Sequence, residues 1–197
     1  MPPPVEVEFT ERFTGRMTPV GDGLSPCVVE VNDLVIRVDL GARTARGALP
    51  AHVVGGTLLA PSLHPGPMPI SGGSVELITT AGRMHYEIEF AAAHHPEHAY
   101  ILEGVKRLAV RRSPSPITIW RETTTLFSRV HSLPARTPLL TGPLTVSPRD
   151  FSHQLRSLRA EGHRDDAAAA VALFIGAFAS RAAHVYLGRA LRRSAPR

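Results

Sequence analysis

"RMHYEIEFAAAHHPEHAYILEGVKRLAV", Arg83 to Val110, decides how this chain folds. Met84, Tyr86, Ile88 and Phe90 alternate with His85, Glu87 and Glu89, the period of two that sends successive side chains to opposite faces of a strand. From Tyr100 to Val110 the chain is again rich in β-branched and apolar residues and reads as extended. Between the two, the residues from His94 to His98 spell H-x-x-E-H, the zinc-ligand signature of inverzincin metalloproteases. That chemistry needs both histidines on one helical face, with the glutamate activating a metal-bound water. Pro96 removes an amide donor in the middle of the motif, and both flanks are strands. The segment His94 to His98 is therefore expected to be a metal-free hairpin loop.

Outward from this hairpin the strand pattern continues in both directions. "VEVEFTERFTGRM" places Val5, Val7, Phe9, Glu11 and Phe13 on one face, a charge among apolar neighbours. "CVVEVNDLVIRVDL" alternates best from Leu34 to Leu40, as one strand or as two joined at Asn32-Asp33. Gly41 to Pro50 reads as loop or a brief helix, "AHVVGGTLLAP" as a short strand, and "SLHPGPMPISGG" as a surface connection punctuated by proline and glycine. "SVELITT" precedes the hairpin. After it, "ITIWRETTTLFSRVHS" reads as the strongest strand of the chain and "TPLLTGPLTVSP" as the last.

At Pro148 the period changes. Pro148 opens and Gly162 closes a helix with Phe151, Leu155 and Leu158 at helical spacing. A second helix is expected from about Arg164-Asp165-Asp166 toward Arg193, with Val171, Phe174, Phe178, Ala182 and Val185 as its apolar stripe. Its uncharged run, Ala167 to Ser180, is too short to span a bilayer and is read as packing on the β body. Arg189, Arg192, Arg193 and Arg197 suit a helix C-terminus, a solvated basic tail, or peripheral contact with anionic lipid.

The expected architecture is a mainly β single domain, residues 1–197. An antiparallel, closed or nearly closed β-barrel of about eight or nine strands (5–147) is followed by two C-terminal α-helices (149–193). Composition agrees: 43% apolar and 20% charged residues are globular values, and 18 prolines with 16 glycines imply many turns. The single Cys27 excludes an internal disulfide. The start "MPPPVEVEFTERF" has neither a basic n-region nor an apolar h-region, so a cytoplasmic location is expected. The arginines are scattered and aromatics make up 6%, so no nucleic-acid partner is expected.

Five phrases in order, "FTERFTG" (Phe9 to Gly15), "RMHYEIEF" (Arg83 to Phe90), "LEGVKRL" (Leu102 to Leu108), "IWRETTTLFSRV" (Ile119 to Val130) and "DFSHQLRSLRAEG" (Asp150 to Gly162), carry a resemblance. Over nearly its whole length the chain resembles the β-rich domain that accompanies cholesterol-oxidase-like flavoenzymes of the glucose-methanol-choline class in actinobacteria. It departs from that pattern at Gly41 to Ser74 and at His94 to His98. No G-x-G-x-x-G follows a strand and no G-x-S-x-G elbow is present, so neither a flavin nor a hydrolase triad carries over. The resemblance implies an accessory role in lipid or steroid metabolism.

Strand parity supplies the candidate residues. Tyr100, Leu102, Gly104, Lys106 and Leu108 share a face, so the only lysine stands among apolar neighbours; Trp120, Glu122, Thr124 and Leu126 share another. Lys106 and Glu122 are expected to meet inside the barrel with Glu11 as a third member, either as an ion pair fixing strand register or as a polar anchor for a ligand. Tyr86, Trp120 and Thr124 complete the expected ligand-binding set. The reading is a non-enzymatic module binding a hydrophobic small molecule, lipid or steroid, with no catalytic residue, cofactor or metal. The alternatives are an enzyme using Lys106, Glu122 and Glu11 on a lipid-like substrate, and a docking domain for a partner flavoenzyme.

Overall fold

The computed structural model describes residues 6–79, 81–92, 95–107, 116–160 and 167–180. Eight strands follow one another around a closed antiparallel barrel: β1 (Glu6–Pro19), β2 (Cys27–Asp39), β3 (Leu49–Ala60), β4 (His64–Leu77), β5 (Arg83–Ala92), β6 (His95–Arg107), β7 (Thr125–Ser132) and β8 (Thr137–Thr145). Each pairs with the next, and β1 closes the ring by pairing with both β2 and β8. Closure leaves no long unpaired edge, the usual weakness of an antiparallel sheet. β8 reaches β1 only between Thr14 and Pro19. The rest of that edge is taken by a two-residue strand, β9 (Arg159–Ala160), on Val7 and Glu8, and by Ser157, whose Oγ accepts from the Thr10 amide at 2.8 Å. Three helices complete the described chain: α1 (Pro116–Thr124), α2 (Pro148–Ser157) and α3 (167–180).

β2 runs unbroken through Asn32-Asp33. The register shifts there, and Asp33 takes a φ of 50°. One extra residue in a strand is a β-bulge; here it moves the inward set from Val29 and Val31 to Leu34, Ile36 and Val38, so every one of them stays buried. Across the bulge Arg12 pairs with Asp33 at 2.5 Å.

Two expectations are corrected. The segment Ser62 to Gly73 is no surface connection, since most of it lies in β4. Pro65, Pro67 and Pro69 occupy alternate, exposed positions, so their missing amide donors fall on one side of the strand. β3 pairs along the other side (Leu58↔Met68, Ala60↔His64), whereas pairing with β5 begins only at Ile70↔Phe90. Gly73, at φ 143°, has no room for a side chain: a Cβ would stand 2.0 Å from the Glu87 carbonyl oxygen. The proline and glycine that read as loop are what let β4 pass its neighbours.

The second correction is the "strongest strand". Ile117 to Thr124 lies in helix α1, and only Thr125 to Ser132 is extended. Tertiary packing of Trp120 overrides the β-branched composition, and Thr123 and Thr124 satisfy their hydroxyls within the helix on the Trp120 carbonyl, at 3.0 and 2.7 Å. Trp120 also packs edge-on against Phe151 of α2, with centroids 5.0 Å apart.

The deciding hairpin is formed, with a shorter connection than expected. β5 ends at Ala92 and β6 begins at His95, so His95 to His98 belong to a strand. His94 lies outside the described residues, as do Val5, the Gly162 helix stop, the helix start at Arg164 to Asp166, and the stripe beyond Ser180 with Ala182 and Val185. α2 follows its signal, with Ser147 as N-cap accepting from the Asp150 amide, but it ends at Ser157. Leu155 is exposed.

Inward side chains from all eight strands pack into one core, among them Phe9, Phe13, Tyr86, Phe90 and Tyr100. Eight strands enclose a space that side chains can fill or that can hold one small ligand. α3 covers the end where β1 begins. Its Ala170 and Phe174 are buried, Ala177 and Phe178 pack beside them, and Phe174 stacks on Phe9 with centroids 5.8 Å apart.

Candidate functional site

Parity along β1, β5 and β6 turns Glu11, Tyr86 and Lys106 inward. Lys106 Nζ donates to Glu11 Oε1 at 2.5 Å, and the Tyr86 hydroxyl donates to Glu11 Oε2 at 3.1 Å. The ammonium also stands 4.7 Å from the Phe13 centroid and 5.0 Å from that of Tyr86, in reach of a cation–π attraction. All three residues are 2–3% exposed. Burial first, and then the Glu11 charge and hydrogen bond, hold the Tyr86 phenol well above its ordinary range.

Of the six residues expected to bind ligand, these three come together. Trp120, Glu122 and Thr124 stand on α1, because that stretch is helical. The expected Lys106–Glu122 pair is therefore corrected: the ion pair of Lys106 is made with Glu11. Thr124 is buried, and its hydroxyl is spent on the Trp120 carbonyl.

The opposite parity of the same strands builds a second feature, one that reading for inward charges does not find. A hollow of about 840 Å³ lies on the outer wall over β5, β6, β7 and β8, with Arg46 of the β2–β3 connection at its rim. The register sets its floor. His85, Val105, Phe127 and Pro143 form one row across the strands; Glu87, Glu103, Arg129 and Thr141 form the next. Phe127 is 56% exposed. Arg46 is held by Glu76 at 3.1 Å, and Glu103 is held by Arg136 at 2.5 Å. Among the described residues Arg107 and Arg129 make no ion pair. Partial burial, with the Arg46 charge second, lowers the pKa of His85 below its ordinary value, which favours the neutral ring at pH 7. The signal was present in the sequence, since Phe127 sits between inward Leu126 and Ser128 once β7 is started at Thr125.

A third cluster is structural. Glu8 binds Arg37 of β2 at 3.1 Å and Arg159 of β9 at 3.0 Å, joining three strands. Partial burial pushes its carboxyl up, but the hydrogen bonds and charges of Arg159 and Arg37 together outweigh that and leave it below the ordinary value. A depressed folded-state pKa stabilises the fold above the unfolded carboxylate range, about 4.3, and that stability is lost as pH falls through the folded value. Glu8→Gln is expected to lower neutral-pH stability by about 1 kcal/mol or less. Thermal midpoints of the two proteins, followed into acid, should converge.

Among the described residues no group of three or more His, Cys, Asp or Glu side chains is placed to hold a metal ion, and no helix is long and apolar enough to cross a membrane. Comparison of the chain with protein-family models, with curated proteins and with solved structures gives no match.

Proposed function

We propose that this protein is a non-catalytic binding module for a hydrophobic small molecule with an anionic end, of lipid or steroid type, held in the outer hollow. The observation that carries the reading is the outward apolar row of Val105, Phe127 and Pro143, with Phe127 and Pro143 exposed, lying beside Arg107 and Arg129, which make no ion pair among the described residues. An apolar strip set beside polar groups that fix one end of the ligand is the usual plan of small-molecule sites, whose volumes run from roughly 300 to 1,000 Å³; here Val105, Phe127 and Pro143 are the strip and the row of Glu87, Glu103, Arg129 and Thr141 is the polar side. The interior supports this choice through the single cluster of buried side chains that all eight strands contribute to it. Glu11, Lys106 and Tyr86 then act behind the wall, fixing the strands whose outward residues are His85, Val105 and Arg107. The resemblance to domains accompanying cholesterol-oxidase-like flavoenzymes supports the ligand class, and a partner flavoenzyme is the proposed donor or acceptor of that ligand. An enzyme using Lys106 and Glu11 draws no support from a pair that is buried and bonded to itself.

Organic extraction of the purified protein, followed by mass spectrometry, should release a bound amphipathic molecule. Arg107→Gln combined with Phe127→Ser should lower its retention by about tenfold or more, since one charge-assisted hydrogen bond alone is worth about 1.5–3 kcal/mol. Lys106→Met, measured where it is still folded, should retain it. The opposite pattern, retention lost with Lys106→Met and kept in the surface variant, would move the ligand inside the barrel and overturn this reading.

A further inference from the structure

We infer that α3 attaches the protein to the surface of an anionic membrane, whatever the hollow binds. The fourteen residues of α3 include no charged side chain. One face is used by the barrel, through Ala170 and Phe174. The opposite face is also apolar: Ala168, Ala172, Gly176 and Ala179 are exposed along its middle, with Leu173 (64% exposed) and Ile175 (49%) at its two margins. Large contiguous apolar patches are rare on proteins that stay alone in water.

Charge identifies the occupant. Of 22 basic residues, five (Arg181, Arg189, Arg192, Arg193 and Arg197) lie in residues 181–197, which contain no acid; residues 1–180 hold the other 17, against all 17 acids. The whole net charge of +5 therefore follows directly after the apolar helix. An apolar helix face followed in the sequence by clustered arginines is the chemistry of the boundary between anionic headgroups and acyl chains. The uncharged run Ala167 to Ser180 is fourteen residues, short of the ~20 that span a bilayer, so a membrane would be met along the helix surface. A second copy of this chain would offer its own α3 face and tail, which contain no acidic residue to match the five arginines.

Flotation of the full chain with vesicles tests the inference. The protein should partition onto phosphatidylcholine vesicles containing phosphatidylglycerol, and about tenfold less onto phosphatidylcholine alone, with binding falling as salt rises, because each surface arginine is worth about fivefold. Leu173→Ser with Ile175→Ser should lower partition about tenfold through lost apolar burial, with an unchanged thermal midpoint. Replacing the five arginines by glutamine should abolish the preference for anionic vesicles. Should the serine variant unfold, Leu173→Ala and Ile175→Ala separately give the same reading with helix propensity kept. Equal partition on both vesicles, or partition indifferent to Leu173 and Ile175, overturns the inference. So does a wild-type chain that ignores vesicles and sediments as a dimer, which would make the face a protein interface.

Discussion

Replacing Lys106 by methionine is expected to lower folding stability by roughly 3–5 kcal/mol, because it leaves the Glu11 carboxylate buried without its counter-charge. For a chain of this length that is a fall of about 6–20 °C in thermal midpoint. Glu11→Leu should cost a comparable amount by stranding the ammonium, which would lose its carboxylate partner and keep the rings of Phe13 and Tyr86. The triple change Lys106→Met, Glu11→Leu, Tyr86→Phe removes every polar atom of the cluster together and should return most of the stability, since a buried ion pair can be replaced by packed apolar groups at little cost. Urea unfolding of the single and combined variants gives the coupling directly. Additive losses, with no recovery in the triple variant, would mean that the cluster does not act as a unit.

The same cluster sets an alkaline limit. The folded-state pKa of Tyr86 is raised above the unfolded value of about 10. Its contribution is therefore fully present below pH 10 and is lost as pH rises above that toward the folded value. Tyr86→Phe should flatten the fall in stability measured from about pH 9 to 11.

What could be read from the sequence followed from where strand parity was sound. In β1, β5 and β6 the alternation runs unbroken, so Val7, Phe9, Glu11 and Phe13, then Met84 to Phe90, then Lys106, are placed inward by counting alone. Counting therefore sends both Glu11 and Lys106 into the barrel interior, where they meet. Glu122 is not the partner because parity does not extend through Ile117 to Ser132: its first half is helix α1, fixed by the contact of Trp120 with Phe151, which composition does not encode. β4 was missed for the opposite reason. Its prolines and glycines are turn formers in general, and only the absence of a β5 partner beside Pro65 to Pro69, with the tight approach at Gly73, makes them suit a strand. β9 pairs at two positions and has no periodicity to detect. The outer hollow required the register of four strands, since no single strand carries its pattern.

The second large effect is expected at Phe174, and it separates the two faces of α3. The ring is 7% exposed, stacks on Phe9 at an interplanar angle of 27°, and touches Phe178 with centroids 6.2 Å apart. Phe174→Ala should cost about 3 kcal/mol, the lower end of the range for truncating a buried phenylalanine, because the site is near the end of the barrel and water can occupy part of the space. About 0.5–1.5 kcal/mol of that belongs to the aromatic pairing itself, so Phe174→Leu should recover the remainder. Leu173→Ser, one residue earlier on the open face, should stay within about 0.5 kcal/mol of wild type. Thermal unfolding of the three variants decides between two arrangements. If Phe174→Ala is costly and Leu173→Ser is silent, the helix is bound to the barrel by one face and its other apolar face is free to meet a membrane. If Phe174→Ala leaves the midpoint unchanged, α3 is not held on the barrel by this face, Phe9 is protected by something else, and the distinction between a structural and a membrane face of the helix no longer stands.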